Sequence, residues 1–244
     1  MNSIKQLFQN ISLIEERLGY SFKNKELLVL AFVHRSFFNE NREQVSAHNE
    51  RLEFLGDSVL GLLISNYLYE QLPEETEGQL SYLRSRIVDA ASCAQYIQKL
   101  SVGEFVLLGR GEKMNDGKGR ETILADLFEA LVGAIYLDGG MDAALQFFKH
   151  KIVDQLQLLI QQPGRNWKAD FQDYCQKKYQ RPPTYKVVEE SGPDHNKVFV
   201  VAALLGEQEY GRGEGSSKKQ AEQAAAEAAL GSLNDGQTKA DLGL

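Results

Sequence analysis

The sequence predicts an all-α domain over residues 1–160, followed by a small α+β domain over residues 167–233. Apolar residues recur at helical spacing in the first segment, whereas the second contains extended runs rich in Val, Tyr and Phe between two helical patterns. Residues 161–166 carry Pro, Gly and no apolar side chain, as linkers do, and the polar residues 234–244 are expected to form a flexible tail.

Cap and breaker residues set the expected ends of the helices in the first domain. Asn24 and Thr76 are N-cap residues, Gly19 is a C-cap residue, and Pro73 stops the helix before it. The expected helices are Leu7–Leu18, one that begins after Asn24, Asn49–Gln71, one from Thr76 through Ile97, Ile123–Leu137 and Met141–Ile160, with a Gly-rich loop over Gly103–Gly119.

The second domain is expected to follow the order α-β-β-β-α. Ser217 and Gln220 have the spacing of a capping box, which marks the start of the last helix, and Gly231 is positioned to end it. The expected elements are a helix over 168–179, strands Thr184–Glu190, Lys197–Leu205 and Gln208–Gly213, and a helix over Ser217–Leu230.

Composition and charge exclude several classes of protein. No apolar run approaches the ~18–20 residues that cross a bilayer, and the first residues lack the pattern of a secretory signal. Cys93 and Cys175 are the two cysteines and are far apart, which fits a reducing cytoplasm better than a disulfide scaffold or a thiolate zinc site. With 27 basic and 34 acidic residues, the net charge is −7, so phosphate binding has to be local or metal-assisted. The glycines of residues 103–119 lack phosphate-loop spacing, so no nucleotide cofactor is expected.

Two predicted helices carry acids on one face among apolar neighbours. Glu50, Glu53 and Asp57 are spaced i, i+3, i+7, and Asp126 and Glu129 are spaced i, i+3. Because its other residues are almost entirely apolar, the first helix is expected to be buried nearly all round except for the acidic stripe. Two carboxylates about 4 Å apart repel by ~4 kcal/mol at an effective dielectric of about 20, so converging acids require a divalent cation. Oxygen-only ligands favour Mg²⁺ or Mn²⁺.

Spacing alone leaves other interpretations of these acids open. An i, i+3 acidic pair is usually a solvated helix face, and Arg51, Arg84 or Arg86 could neutralise one or two of the carboxylates. Other phosphate-cleaving or two-metal folds carry similar sets.

Sequence motifs beyond the acids themselves distinguish between these interpretations. The stretch Asn49-Glu50-Arg51-Leu52-Glu53-Phe54-Leu55-Gly56-Asp57-Ser58 resembles the signature of the ribonuclease III family. Further motifs agree with that family in order and together span most of residues 1–160: His34-Arg35-Ser36, Leu83-Arg84-Ser85, Leu108-Gly109-Arg110-Gly111-Glu112, and the run from Ile123-Leu124-Ala125-Asp126 to Asp138-Gly139-Gly140.

The resemblance implies a Mg²⁺-dependent endoribonuclease, with Mn²⁺ able to substitute, that acts on double-stranded RNA as a homodimer. Products would carry 5′-phosphate and 3′-hydroxyl ends with short 3′ overhangs, from ribosomal RNA precursors and structured transcripts. Glu50 falls beside the implied site, and Glu77 falls on an acid that the family contributes near the partner subunit's cleft. Asp57 and Glu129 are the implied catalytic residues, within the metal-binding set Glu53, Asp57, Asp126 and Glu129.

The start of the last helix carries cations where the helix dipole disfavours them. Lys218 and Lys219 lie in its first turn, an arrangement that suits phosphate binding, although exposed lysines are ordinarily only solubilising. Residues 166–233 resemble a double-stranded RNA-binding domain through Pro183-Thr184-Tyr185, Gly192-Pro193-Asp194-His195 and the run from Gly211 to Ala226. The RNA-binding residues that this resemblance implies are Gln172, Gln176, Pro193, Asp194, His195, Ser217, Lys218 and Lys219.

The charge of the second domain departs from that resemblance. Residues 166–244 hold 10 basic and 12 acidic residues, a net charge of −2, where relatives are usually basic. RNA binding is therefore expected to be weak or strongly salt-dependent. The alternative function is a non-cleaving double-stranded RNA-binding protein that uses the dimer as a scaffold, and the complete acid set favours the enzyme.

Overall fold

A computed structural model describes residues 4–114, 119–161, 166–192 and 197–241. The chain forms two compact units, Met1–Pro163 and Gly164–Leu244. Most of the predicted linker, residues 162–165, lies outside the described residues. Within the described ranges, no helix is both long and apolar enough to cross a membrane.

The first unit is helical, as predicted. Its helices are α1 Ile4–Gln9, α2 Ile11–Leu18, α3 Lys25–Ala31, α4 Arg35–Glu40, α5 Glu50–Gln71, α6 Glu77–Ile87, α7 Ala90–Leu100, α8 Arg110–Met114, α9 Arg120–Lys151 and α10 Val153–Gln161. The long helices α5 and α9 pack against each other in the core, and α9 bends at Gly140, which has a φ of 76°. The bend lies at the predicted Gly139-Gly140 break.

The predicted caps are confirmed, but several predicted helices are divided. Asn24 Oδ1 accepts from Glu26 N–H at 3.0 Å, and Thr76 Oγ1 accepts from Gln79 N–H at 3.3 Å. The single helix expected from Thr76 through Ile97 is wrong, because Asp89 Oδ1 accepts from Ser92 N–H at 2.8 Å and starts α7 there. The other breaks are at Asn10, between α1 and α2, and at Ile152, between α9 and α10, and the predicted loop over 103–119 contains a 3-10 turn and α8.

The expectation that α5 is buried nearly all round is also wrong. Phe54 is 77% exposed, Leu62 56% and Tyr69 75%, on one face of the helix within this chain. The opposite face, with Leu52, Leu60 and others, is buried against the core. The apolar composition of α5 therefore reflects two surfaces, only one of which is covered within a single chain.

The second unit has the predicted α-β-β-β-α order. Its elements are α11 Trp167–Tyr179, β1 Thr184–Ser191, β2 Val198–Leu205, β3 Gln208–Gly215 and α12 Lys218–Asp241. The sheet is antiparallel in the order β1-β2-β3, with a bulge in β1 between Val187 and Glu189. Phe171 and Cys175 of α11 pack with the alanines of α12 and with β2. A Cβ at Gly213 would lie 2.6 Å from the Ala224 Cβ, so α12 approaches β3 more closely than a side chain at Gly213 would allow.

The predicted end of the last helix at Leu230 is wrong, since α12 continues through Asp241. Gly231 is not in the left-handed conformation that a C-cap glycine adopts. Ser232 Oγ donates toward the Tyr210 carbonyl at 2.8 Å and the Ala229 carbonyl at 2.9 Å, which ties the following turn to β3. Helix propagation past one glycine is thus supported by a tertiary contact.

Candidate active site

The two acid-bearing helices cross at glycines. A Cβ at Gly56 would overlap the main-chain carbonyl of Glu129 and lie 2.9 Å from Gly133 N. A Cβ at Gly133 would overlap the Leu52 carbonyl in the same way. Gly56 and Gly133 therefore let the two helices approach closely. Gly56 lies between Glu53 and Asp57 on α5 and faces the Glu129 main chain on α9, so the two helices present their acids to one region.

The four acids predicted as metal ligands influence one another electrostatically. Burial, together with the negative charges of Asp57, Glu53 and Asp126, raises the pKa of Glu129 to about 7. Burial likewise raises the pKa of Glu53, with added contributions from Asp126, Glu50 and Asp57. For Asp126, burial also raises the pKa, while His34 opposes the shift. The residues named as the acidic cluster below are Glu53, Asp57, Asp126 and Glu129.

No arginine neutralises the acidic cluster among the described residues. None of its four carboxylates has a salt bridge to a Lys or Arg side chain in those parts of the chain. Arg84 Nη1 instead donates to Ser65 Oγ at 3.0 Å, and the guanidinium of Arg86 lies 5.9 Å from the centre of the Tyr82 ring. The interpretation of these acids as members of arginine ion pairs is thus excluded for the described residues.

The two other predicted acids occupy different environments. Glu50 begins α5 and is paired, with its Oε1 3.2 Å from Arg35 Nη1 and its Oε2 3.7 Å from His48 Nδ1. Glu77 begins α6, and its Oε1 accepts from Ser81 Oγ–H at 2.9 Å. Glu50 therefore lies at the edge of the acidic cluster, whereas the structure does not bring Glu77 to the cluster of its own chain.

One histidine, His34, also interacts electrostatically with acids of this region. His34 is the N-cap of α4, and its half-buried ring is within electrostatic reach of Glu112, Asp126 and Glu50. Burial lowers the pKa of His34, and those three negative charges oppose the effect. The His34-Arg35-Ser36 motif was the sequence feature that could have indicated a role for His34 at this site, because its spacing to the other histidines indicates none.

The acidic cluster has the chemistry of a hard-cation site. All of its donors are carboxylate oxygens, the ligand type of Mg²⁺ and Mn²⁺, and no Lys or Arg of the described residues forms a salt bridge with them. Within the described residues, no three Asp, Glu, His or Cys side chains are already drawn together as a complete metal-binding group. The donor set thus fits a divalent cation in type and charge, and the side chains would have to close around it.

The predicted RNA-binding residues of the second unit are partly described. Gln172 and Gln176 are exposed on one face of α11. Ser217 Oγ accepts from Gln220 N–H at 3.3 Å, which confirms half of the capping box, while the Gln220 side chain accepts from Ser216 N–H at 3.2 Å instead of from Ser217. Pro193, Asp194 and His195 lie outside the described residues.

The lysines at the start of α12 differ from three other cations of the unit, which form ion pairs. Lys168 pairs with Glu222 at 2.6 Å, Lys197 with Glu190 at 2.8 Å, and Arg212 with Glu209 at 3.0 Å. Lys218 and Lys219 are exposed and form no salt bridge within the described residues, and Lys218 Nζ lies 5.7 Å from the centre of the Phe199 ring. Their positive charge is therefore directed to solvent or to a ligand.

Comparisons with known proteins give the family of each domain. A family model described as Ribonuclease-III-like matches residues 24–156, and one described as Double-stranded RNA binding motif matches residues 167–233. The chain is 60% identical to Ribonuclease 3 of Protochlamydia amoebophila, over 94% of this chain and 95% of that protein. It is 43% identical to Ribonuclease 3 of Geobacillus kaustophilus, over 90% of this chain and 89% of that protein. Among solved structures, the chain is similar to the nuclease domain of ribonuclease III from Campylobacter jejuni, in a structure described for flexibility in a region involved in dimer formation. The two are 40% identical, the match covers 59% of this chain and 97% of that one, and the TM-score is 0.54.

Proposed function

The chain belongs to the ribonuclease III family of endoribonucleases that act on double-stranded RNA, and we propose that it is a Mg²⁺-dependent member whose catalysis depends on the acidic cluster. The observation that carries this proposal is the set of four mutually repelling carboxylates, without a salt bridge among the described residues, at the Gly56–Gly133 crossing. Mn²⁺ is expected to substitute, because it accepts the same oxygen ligands.

The carboxylates have separable tasks in this proposal. A bound Mg²⁺ would polarise the phosphate and support both the attacking water and the leaving 3′ oxygen. Glu53 and Asp126, one from each helix, would hold the ion. Asp57 and Glu129 would hold the ion and also orient the attacking water, giving 5′-phosphate and 3′-hydroxyl ends.

The second unit is proposed to position the duplex. Lys218 and Lys219, exposed at the start of α12, would contact phosphates across the major groove. Gln172 and Gln176 would face one minor groove, and the loop with Pro193, Asp194 and His195 would enter the next. Residues 161–166 would be the linker to the catalytic domain. The proposed domains are thus a catalytic domain over 1–160 and an RNA-binding domain over 167–233, followed by a flexible tail over 234–244.

A homodimer is proposed from the surface of α5. Phe54, Leu62 and Tyr69 form an exposed apolar face on the same helix that carries Glu53 and Asp57. A second copy would cover this face, and its Glu77 would then be available near the opposite cleft. Each subunit would cut one strand, leaving short 3′ overhangs. Analytical ultracentrifugation would detect the dimer, and Leu62→Glu should make it dissociate.

The cellular role proposed by family analogy is maturation of ribosomal RNA precursors and turnover of structured transcripts in the cytoplasm. The alternative, a non-cleaving double-stranded RNA-binding protein, is separated from the enzyme by one gel assay. Labelled duplex RNA is incubated with the protein in Mg²⁺ or in EDTA. The enzyme yields shortened fragments only with Mg²⁺, whereas a binding protein yields only a mobility shift in both.

A further inference from the structure

The start of α11 is joined to α12 by side-chain hydrogen bonds. Two N–H groups of the first turn of α11, which a helix cannot pair internally, both have side-chain acceptors. Ala169 N–H donates to Oδ1 of the N-cap residue Asn166 at 3.2 Å. Lys168 N–H donates to Oε1 of Gln223, on α12, at 3.2 Å. Gln223 Nε2 donates in turn to Asn166 Oδ1 at 2.9 Å, so one glutamine of α12 completes the capping of α11.

An ion pair reinforces this connection. Lys168 Nζ lies 2.6 Å from Glu222 Oε2, and both side chains are partly buried. The same ammonium lies 4.8 Å from the centre of the Tyr185 ring in β1. Asn166 is 9% exposed, so the hydrogen bonds of its side chain are shielded from competing water. The residues named the α11–α12 junction below are Asn166, Lys168, Glu222 and Gln223.

The α11–α12 junction lies one helical turn from each proposed set of RNA-binding residues. On α11, Lys168, Gln172 and Gln176 are spaced i, i+4, i+8 and share a face. On α12, Glu222 and Gln223 lie four residues after the two lysines at its start. The junction thus links the two sets through one turn of each helix. Their separation matters because a double-stranded RNA-binding domain contacts successive grooves of one duplex.

We propose that Gln223 is a positioning residue for duplex RNA, which holds α11 and the start of α12 at the separation that one duplex requires. Gln172 and Gln176 would then meet a minor groove while the lysines of α12 meet the adjacent major-groove phosphates. This inference rests on the proposed function of the second unit. Gln223 acts through the two helices, because its side-chain amide is already engaged by Asn166 and Lys168.

Two variants of the full chain separate positioning from stability. Gln223→Met keeps an unbranched side chain with a high helix propensity but forms neither hydrogen bond. Val201→Ala, in the core on β2 and outside the junction, is the control for lost stability alone. The fluorescence of Trp167, the one tryptophan in the sequence, reports whether the second unit is folded. Duplex affinity is measured in EDTA, and cleavage is measured in Mg²⁺.

Both variants are expected to melt at a lower temperature than wild type. At a temperature where Trp167 fluorescence shows every protein folded, Gln223→Met should bind duplex RNA about 10-fold more weakly. Its KM should rise by a similar factor, with kcat unchanged within about 2-fold. Val201→Ala should keep the wild-type affinity and KM there. Asn166→Ser retains a cap acceptor for Ala169 N–H but is too short to reach Gln223, so we expect a smaller loss of about 3-fold.

Wild-type affinity of folded Gln223→Met overturns the inference, as does a loss no larger than that of Val201→Ala. Should Gln223→Met not fold, wild-type affinity of Asn166→Ser overturns it instead. The double variant Lys218→Ala/Lys219→Ala is measured in parallel. If it binds duplex RNA like wild type, the proposed RNA contact of α12 fails, and the inference fails with it. If it binds weakly while Gln223→Met binds like wild type, only the role of Gln223 fails.

Discussion

The two units of this chain carry side chains of opposite charge at the positions proposed to interact with RNA phosphate. The catalytic unit gathers four carboxylates that form no salt bridge with a Lys or Arg of its described residues, whereas the RNA-binding unit presents two lysines within a segment of net charge −2. The first arrangement repels RNA until a cation binds, and the second attracts it only locally. The proposed function therefore separates affinity from chemistry along the chain, and we expect cleavage to depend on both a metal ion and a tethered duplex.

The units also use glycine for the same physical purpose in different settings. Gly56 and Gly133 let two helices approach at the acidic cluster, and Gly213 lets α12 approach a strand. In the catalytic unit the close approach is part of the site, because it sets the distance between the acids of α5 and α9. In the second unit the close approach only allows α12 to pack against the sheet.

The largest expected effect comes from changing the acidic cluster of the catalytic unit. Glu129→Gln should lower Mg²⁺-dependent cleavage by more than about 10²-fold, because the amide cannot supply a negative ligand or accept a proton. Fold and duplex affinity in EDTA should be unchanged. Single-turnover cleavage of a labelled duplex measures the rate, with Glu121→Gln, an exposed acid on the same helix, as the matched control. Parental cleavage by Glu129→Gln would remove the site assignment.

The next effect tests the helix crossing. Gly56→Ala should lower the free energy of unfolding of the catalytic unit by about 3 kcal/mol, because the added methyl overlaps the Glu129 carbonyl. Gly111→Ala, in the same unit with open space around its Cβ position, should change stability by less than about 1 kcal/mol. Denaturant titration followed by circular dichroism measures both, and equal stabilities would contradict the close crossing.

The RNA-binding side is tested by its two lysines. Replacing Lys218 and Lys219 with Ala should weaken binding to any duplex sequence by roughly 10-fold and reduce the slope of log K against log salt by about 1–2, since two phosphate contacts are lost. Filter binding in EDTA over a salt series measures both quantities. The exposed lysines Lys177 and Lys186 provide a control double variant, which should retain the parental slope. Identical slopes for all three proteins would argue against a phosphate clamp.

The smallest effect concerns pH. Because the pKa of folded Glu129 is raised to about 7, the folded protein retains a proton between about pH 4.5 and 7 that the unfolded chain releases. Stability in EDTA should therefore fall across this window and level off above it, by about 1 kcal/mol after allowance for solvent screening. Glu129→Gln should remove that part of the decline. Melting curves from pH 5 to 8 measure it, and parallel curves for the two proteins would contradict a raised pKa.

Local chemistry in the sequence determined much of the fold. Asn24 and Thr76 start helices where their side chains accept the predicted N–H groups, and Gly19 ends one in the left-handed conformation. The family and the two-domain order also followed from motifs that are contiguous in the chain. Helix starts and signature motifs depend on neighbouring residues, so a single sequence suffices to identify them.

Tertiary structure decided what depends on residues far apart in sequence. The crossing of Gly56 with Gly133 brings the acids of α5 and α9 together, and the hydrogen bonds of Gln223 join α12 to the start of α11. The exposure of Phe54 and the continuation of α12 past Gly231 were likewise not predicted. Spacing along one helix fixes only which side chains share a face. Which surfaces meet, and hence which charges repel and which apolar faces stay uncovered, depends on how the whole chain packs.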